Sequence, residues 1–133
     1  MICGYSQAHE FDYGDEALKD CIKNSNFVWL GSNVYEKDTG ELFPGVMDVY
    51  SWSPSSEEEK DVKINFFGLC TSATPKLSYP SSNVEFVNIH TTTQRVFSEN
   101  NSDNLWVALT HLSMQQDIDL ANSKQQKKIK FIL

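Results

Sequence analysis

The chain has 133 residues, 40% hydrophobic and 22% charged, which places it among globular proteins able to bury one core and outside the disordered class. Its net charge is −7 and Arg95 is its single arginine. That balance argues against a nucleic-acid binder, because phosphate neutralisation supplies much of that affinity and arginine makes many of the bidentate contacts.

Along the chain, residues 1–11 read as an irregular lead-in without the basic and apolar segments of a signal peptide. A short helix is expected from Asp12, as its cap, to about Asn24. Asp15 and Glu16 fall in its first turn, and Ala17, Leu18, Cys21 and Ile22 share one face. Phe27 to Leu30 is apolar on both sides, as in a buried central strand. Val34-Tyr35 and Leu42-Phe43 flank a turn with Gly40 at a positive-φ position, giving a hairpin. Val46 to Trp52 reads as a strand, and Ser53 to Lys60 as a polar loop. Val62 to Cys70 alternates as a strand with Cys70 on the inner phase. Thr71 to Asn83 is a Ser, Thr and Pro-rich connection. Val84 to His90 reads as a strand continuing past Thr93 to Phe97, with a bulge where the phase shifts at Phe86 and Val87. Leu105 to Met114 fits either strand or helix, and Trp106, Val107 and Thr110 weigh toward strand. Asp117 to about Gln126 fits a short helix, and Ile129, Phe131 and Leu133 alternate with lysines as a terminal strand.

These elements predict one α+β domain over residues 1–133. Its expected core is a mainly antiparallel β-sheet of six or seven strands, curved into a half-barrel or sandwich, with one or two short helices. Cys3, Cys21 and Cys70 are odd in number, widely spaced and without a C-x-x-C pair, which favours free thiols in a reducing compartment. With no run near 20 apolar residues, a cytoplasmic setting away from membranes is the expectation.

No nucleotide-binding or hydrolase motif stands out, so no catalytic residue, metal or cofactor is assigned. Asp117-Ile118-Asp119 with Asn122 lacks the glycine and closing glutamate of a calcium loop. Cys70 would need His90 or His111 beside it to act as a nucleophile, and His111 would need Asp117 or Asp119 to act as a general base. His9, in the lead-in, reads as a solvated side chain.

Charge is the strongest signal. Residues 1–61 hold thirteen acids against four lysines, a net −9, while residues 62–133 hold five acids against seven bases, a net +2. Candidate partner-binding residues are therefore Asp15, Glu16, Asp20, Glu36, Asp38, Glu41, Asp48, Glu57, Glu58, Glu59 and Asp61, with Tyr50 and Trp52 as aromatic anchors. In size and acidity, though in no motif, the chain resembles bacterial immunity proteins and antitoxins, which neutralise basic nuclease toxins. That resemblance implies a non-catalytic protein-binding inhibitor of a basic protein partner. Two alternatives remain: a binder of a small apolar ligand in a curved sheet, and a small hydrolase or isomerase using His90 or His111.

Overall fold

Strands β5 (Ile64–Cys70) and β7 (Leu105–His111) run parallel to each other at the centre of a four-stranded sheet, in the order β4 (Val49–Trp52), β5, β7, β8 (Ile129–Ile132). The computed structural model describes residues 4–5, 8–55, 62–100, 103–123 and 129–133. β4 is antiparallel to β5 and β8 is parallel to β7, so the sheet is mixed. Two small sheets accompany it: β1 (Gly4–Tyr5) parallel to β2 (Trp29–Leu30), and β3 (Val34–Glu36) antiparallel to β6 (Val84–Phe86). The remaining elements are the helices α1 (Gly14–Lys23), α2 (Thr74–Leu77), α3 (Ile89–Glu99) and α4 (Met114–Asn122), and a 3-10 turn at Ala8–Phe11.

The α+β class holds, but the sheets do not close into a barrel, and the expected antiparallel preference fails at the central pairs. Two features drive β5 and β7 parallel. Their near-continuous apolar sequences suit strands covered on both faces, as parallel strands usually are. The segment between them is also long enough to hold a crossover helix. That helix, α3, lies where a strand was expected. The Asn88 side chain caps it by accepting from the backbone N–H groups of His90 and Thr91. Its buried residues Ile89, Thr92, Thr93, Val96 and Phe97 form a stripe at i, i+3, i+4, i+7 and i+8. The β-branched run Thr91-Thr92-Thr93 favours a strand locally, and burial of this stripe overrides that preference. The expected bulge is instead the end of β6, where the Val87 N–H donates to the Asn33 carbonyl at 2.9 Å.

Each face of the central sheet carries its own core. Phe67, Leu69, Trp106 and Ala108 pack with Ile89, Val96 and Phe97 of α3 and Leu120 of α4. On the opposite face Cys70 packs with Phe11, Leu18, Val34, Phe43 and Val84. Gly68 lets this second layer approach closely, because a Cβ there would lie 2.6 Å from the Leu30 carbonyl oxygen. β2 therefore covers the central sheet from the side instead of joining it. The buried Asn33 side chain ties three segments together: it donates to the Cys70 and Val87 carbonyls and accepts the Cys70 N–H at 2.8 Å.

Candidate active site

Parallel strands deliver their carboxyl ends to one edge of a sheet, and that edge is where open α/β sheets place their ligand sites. Here β5 ends at Cys70 and β7 ends at His111, opposite each other in the register. Paired residues of adjacent strands point to the same face, so His111 shares the face on which Cys70 packs. The 3-10 turn sits on that face, with Phe11 fully buried in its core. Its residue His9 meets His111 edge to face, with ring centroids 6.3 Å apart.

The local geometry of the turn then orients His9. Side chains three residues apart eclipse each other in a 3-10 helix. Asp12 accordingly comes under His9, with Nδ1 3.2 Å from Oδ2, and the Asp12 N–H donates to the His9 carbonyl at 3.1 Å. The other carboxylate oxygen accepts a 2.6 Å hydrogen bond from Ser78 Oγ. Both contacts favour the ionised form, so Asp12 lies below its ordinary value of 3.8, the serine bond being the larger cause. An imidazole that donates its Nδ1–H to a carboxylate keeps Nε2 for a second partner, and the His9 side chain is 71% exposed. Asp12 therefore serves the histidine, not the helix. The N-cap of α1 is Tyr13, and its side chain makes no capping bond.

The histidine partners expected from sequence form differently. Cys70 and His111 are register neighbours, but the thiol is buried, contacts Thr74 Oγ1 at 3.1 Å, and is pushed up to about 11 by burial. That environment suits a packed thiol and not a nucleophile. Asp117 accepts a 2.8 Å bond from Thr110 Oγ1, and Asp119 accepts one from Gln115 Nε2 at 2.8 Å. α4 begins with a capping box between Ser113 and Gln116, ahead of the expected start at Asp117.

The candidate partner-binding carboxylates fall into separate groups. Asp15, Glu16 and Glu36 line a groove of about 540 Å³ together with Tyr13, Lys19 and Tyr79. Lys19 bridges Glu16 and Glu36 at 3.2 Å each, and Asp15 Oδ1 accepts the Ser81 N–H at 3.0 Å. Asp38 accepts from Asn83 Nδ2 at 2.9 Å. Asp48 is held on both oxygens by Arg95 at 2.8 Å. Asp20 and Glu41 are exposed. Tyr50 is half-buried with its ring 6.4 Å from that of Phe66, and Trp52 is exposed. Glu57, Glu58, Glu59 and Asp61 lie outside the described residues. The groove is polar and open, unlike the apolar cavity that a small-ligand binder requires.

Among the described residues no group of three His, Cys, Asp or Glu side chains could hold a metal ion. Nor is any helix among them long and apolar enough to cross a membrane.

No protein-family model and no curated protein matches the sequence. Solved structures do match in fold. The chain is similar to NAD nucleotidase (NadN) of Haemophilus influenzae, with 22% identity and a TM-score of 0.78 over 98% of this chain and 22% of that one. It is similar to a 5'-nucleotidase precursor from Thermus thermophilus, with 25% identity and a TM-score of 0.76 over 90% of this chain and 23% of that one. It is also similar to the calcineurin-like phosphoesterase YfkN of Bacillus subtilis, with 21% identity and a TM-score of 0.78 over 98% of this chain and 43% of that one. The chain thus spans less than half the length of each. This shared fold overturns the expectation of a non-catalytic immunity protein, antitoxin or inhibitor that caps a nuclease toxin. That expectation rests on size and charge, which report on a solvated surface and carry no information about strand order.

Proposed function

We propose that this chain carries the active site of a hydrolase that cleaves phosphate monoesters of nucleotides. The observation that supports this best is the His9 ring, oriented by Asp12 and facing His111 at the carboxyl edge of the parallel strands. The fold shared with a nucleotidase and a phosphoesterase points to the same chemistry.

In this reading water attacks phosphorus and passes a proton to a phosphoryl oxygen, the bond to the ester oxygen breaks, and the leaving oxygen needs a proton of its own. His9 Nε2 supplies it, and the Asp12 carboxylate stabilises the imidazolium before transfer. A ring N–H of His111 donates to a phosphoryl oxygen and offsets charge that builds there. The free thiols of Cys21 and Cys70 support a reducing, cytoplasmic setting.

The test is release of inorganic phosphate from a nucleoside 5'-monophosphate by the 133-residue chain, with and without added divalent cation. The wild-type chain should release phosphate, and His9→Asn should reduce the rate by about 10²- to 10⁴-fold. No release by the wild-type chain under any of these conditions would remove the reading.

A further inference from the structure

Ser78 lies beyond the last residue of α2, far in sequence from the His9 turn, yet it occupies one of the two oxygens of Asp12. Its side chain is not placed there by chance of rotation. Ser78 is 8% exposed, its N–H donates to the Thr74 carbonyl at 2.9 Å, and the next N–H, of Tyr79, donates to the Phe11 carbonyl at 3.3 Å. Thr74 is fixed in turn, its Oγ1 donating to the Thr71 carbonyl at 2.6 Å, and the Thr71 N–H donates to the His111 carbonyl at 3.2 Å. A continuous path of hydrogen bonds therefore runs from the end of β7 through Thr71, Thr74 and Ser78 to Asp12 and His9.

We propose that Ser78 is a positioning residue of the active site, fixing the Asp12 carboxylate so that its other oxygen holds His9 Nδ1. This rests on the hydrolase reading above. Asp12 is 38% exposed, so packing alone does not set the plane of its carboxylate. Two directional bonds, one to each oxygen, do set it. The serine bond also keeps the group ionised, as a carboxylate serving an imidazolium must be. The same contact links the end of α2 to the turn that carries His9, so the relative placement of the two histidines depends on it.

The experiment is a carbon-13 NMR titration of the Asp12 carboxyl in the full chain, paired with kinetics. Ser78→Ala should move the Asp12 midpoint upward, and Ser78→Thr, which keeps a hydroxyl, should bring it back. The Ala variant should also lower kcat about tenfold at unchanged KM, as expected when a catalytic group is displaced without loss of substrate contacts. Should Ser78→Ala fail to fold, Ser78→Cys gives the same comparison with a side chain of similar size and a weaker donor. An Asp12 midpoint that stays in place in a folded variant overturns the proposal. The titration needs no substrate, so the two failures separate. An unmoved midpoint in a chain that releases phosphate removes the role of Ser78 alone. A moved midpoint in a chain that releases none removes the hydrolase reading and, with it, the catalytic purpose of the contact.

Discussion

His9 and His111 meet edge to face with ring centroids 6.3 Å apart, one in the 3-10 turn near the start of the chain and the other at the end of β7. Their meeting depends on how closely the layer bearing the turn seats on the central sheet.

Gly68 controls that seating. Its N–H donates to Ser32 Oγ at 3.2 Å and its carbonyl accepts the Ser32 N–H at 2.9 Å, so the segment after β2 is stitched to β5. Gly68→Ala places a Cβ against the Leu30 backbone and should destabilise the fold by about 1–3 kcal/mol. Chemical denaturation checks this, and the native NMR contacts between the two histidine rings should weaken in parallel.

Arg95 is the second stitch. Its guanidinium grips both oxygens of Asp48 at 2.8 Å, donates to the Ser32 carbonyl at 3.0 Å and reaches Glu99 at 2.8 Å. Its pKa is raised, first by the Asp48 hydrogen bonds, so it stays charged. Arg95→Met should cost about 2 kcal/mol, because hydrogen bonds to charged groups are lost and Asp48 keeps no partner of that geometry. Arg95→Lys should recover only part, since an ammonium cannot reproduce the planar fork. Urea denaturation of the three proteins orders them.

Much of this arrangement is legible in the residues. Alternation locates β5 and β8, Trp106 and Val107 place β7 as a strand, and Gly40 marks its turn with a φ of +71°. α3 reads falsely as a strand because Thr-rich sequence favours strands locally, although Asn88 and the spacing of Ile89, Val96 and Phe97 carry the helical signal. Strand order is not legible, since pairing of β5 with β7 is decided by contacts across the intervening crossover. At the site, the sequence marks His111 as a candidate but leaves His9 as a solvated side chain. The spacing of His9 and Asp12 is the available sign, because a single helical turn brings i and i+3 together. Ser78 carries no such sign, as its contact with Asp12 exists only once the chain has folded.

The two described cysteines should differ in chemistry. Cys21 is exposed, whereas Cys70 is buried and raised from 9.0 to about 11. Iodoacetamide at neutral pH should therefore label Cys21 and leave Cys70 intact until the chain unfolds, as peptide mapping would read. Burial keeps the Cys70 thiol neutral, so its contribution to stability is complete below about pH 9 and is lost as pH rises toward 11. Thermal melts should fall across that window, and less so in Cys70→Ser.

Asp12 gives the opposite sign. Its folded pKa is depressed by Ser78 and then by His9, so its contribution is complete above about pH 3.8 and disappears as pH falls below that value. Acid titration of the melting temperature should show part of the loss below pH 3.8 in the wild type and a shallower slope in Asp12→Asn.

A proton donor to a leaving oxygen matters most when that oxygen is a poor leaving group. The most direct test of His9 in that role compares His9→Asn with the wild-type chain on two substrates, a nucleoside 5'-monophosphate and p-nitrophenyl phosphate. The account predicts a loss in kcat of about 10²- to 10⁴-fold on the nucleotide and under about tenfold on the aryl ester, whose oxygen departs without a proton. Equal losses on both substrates would contradict it.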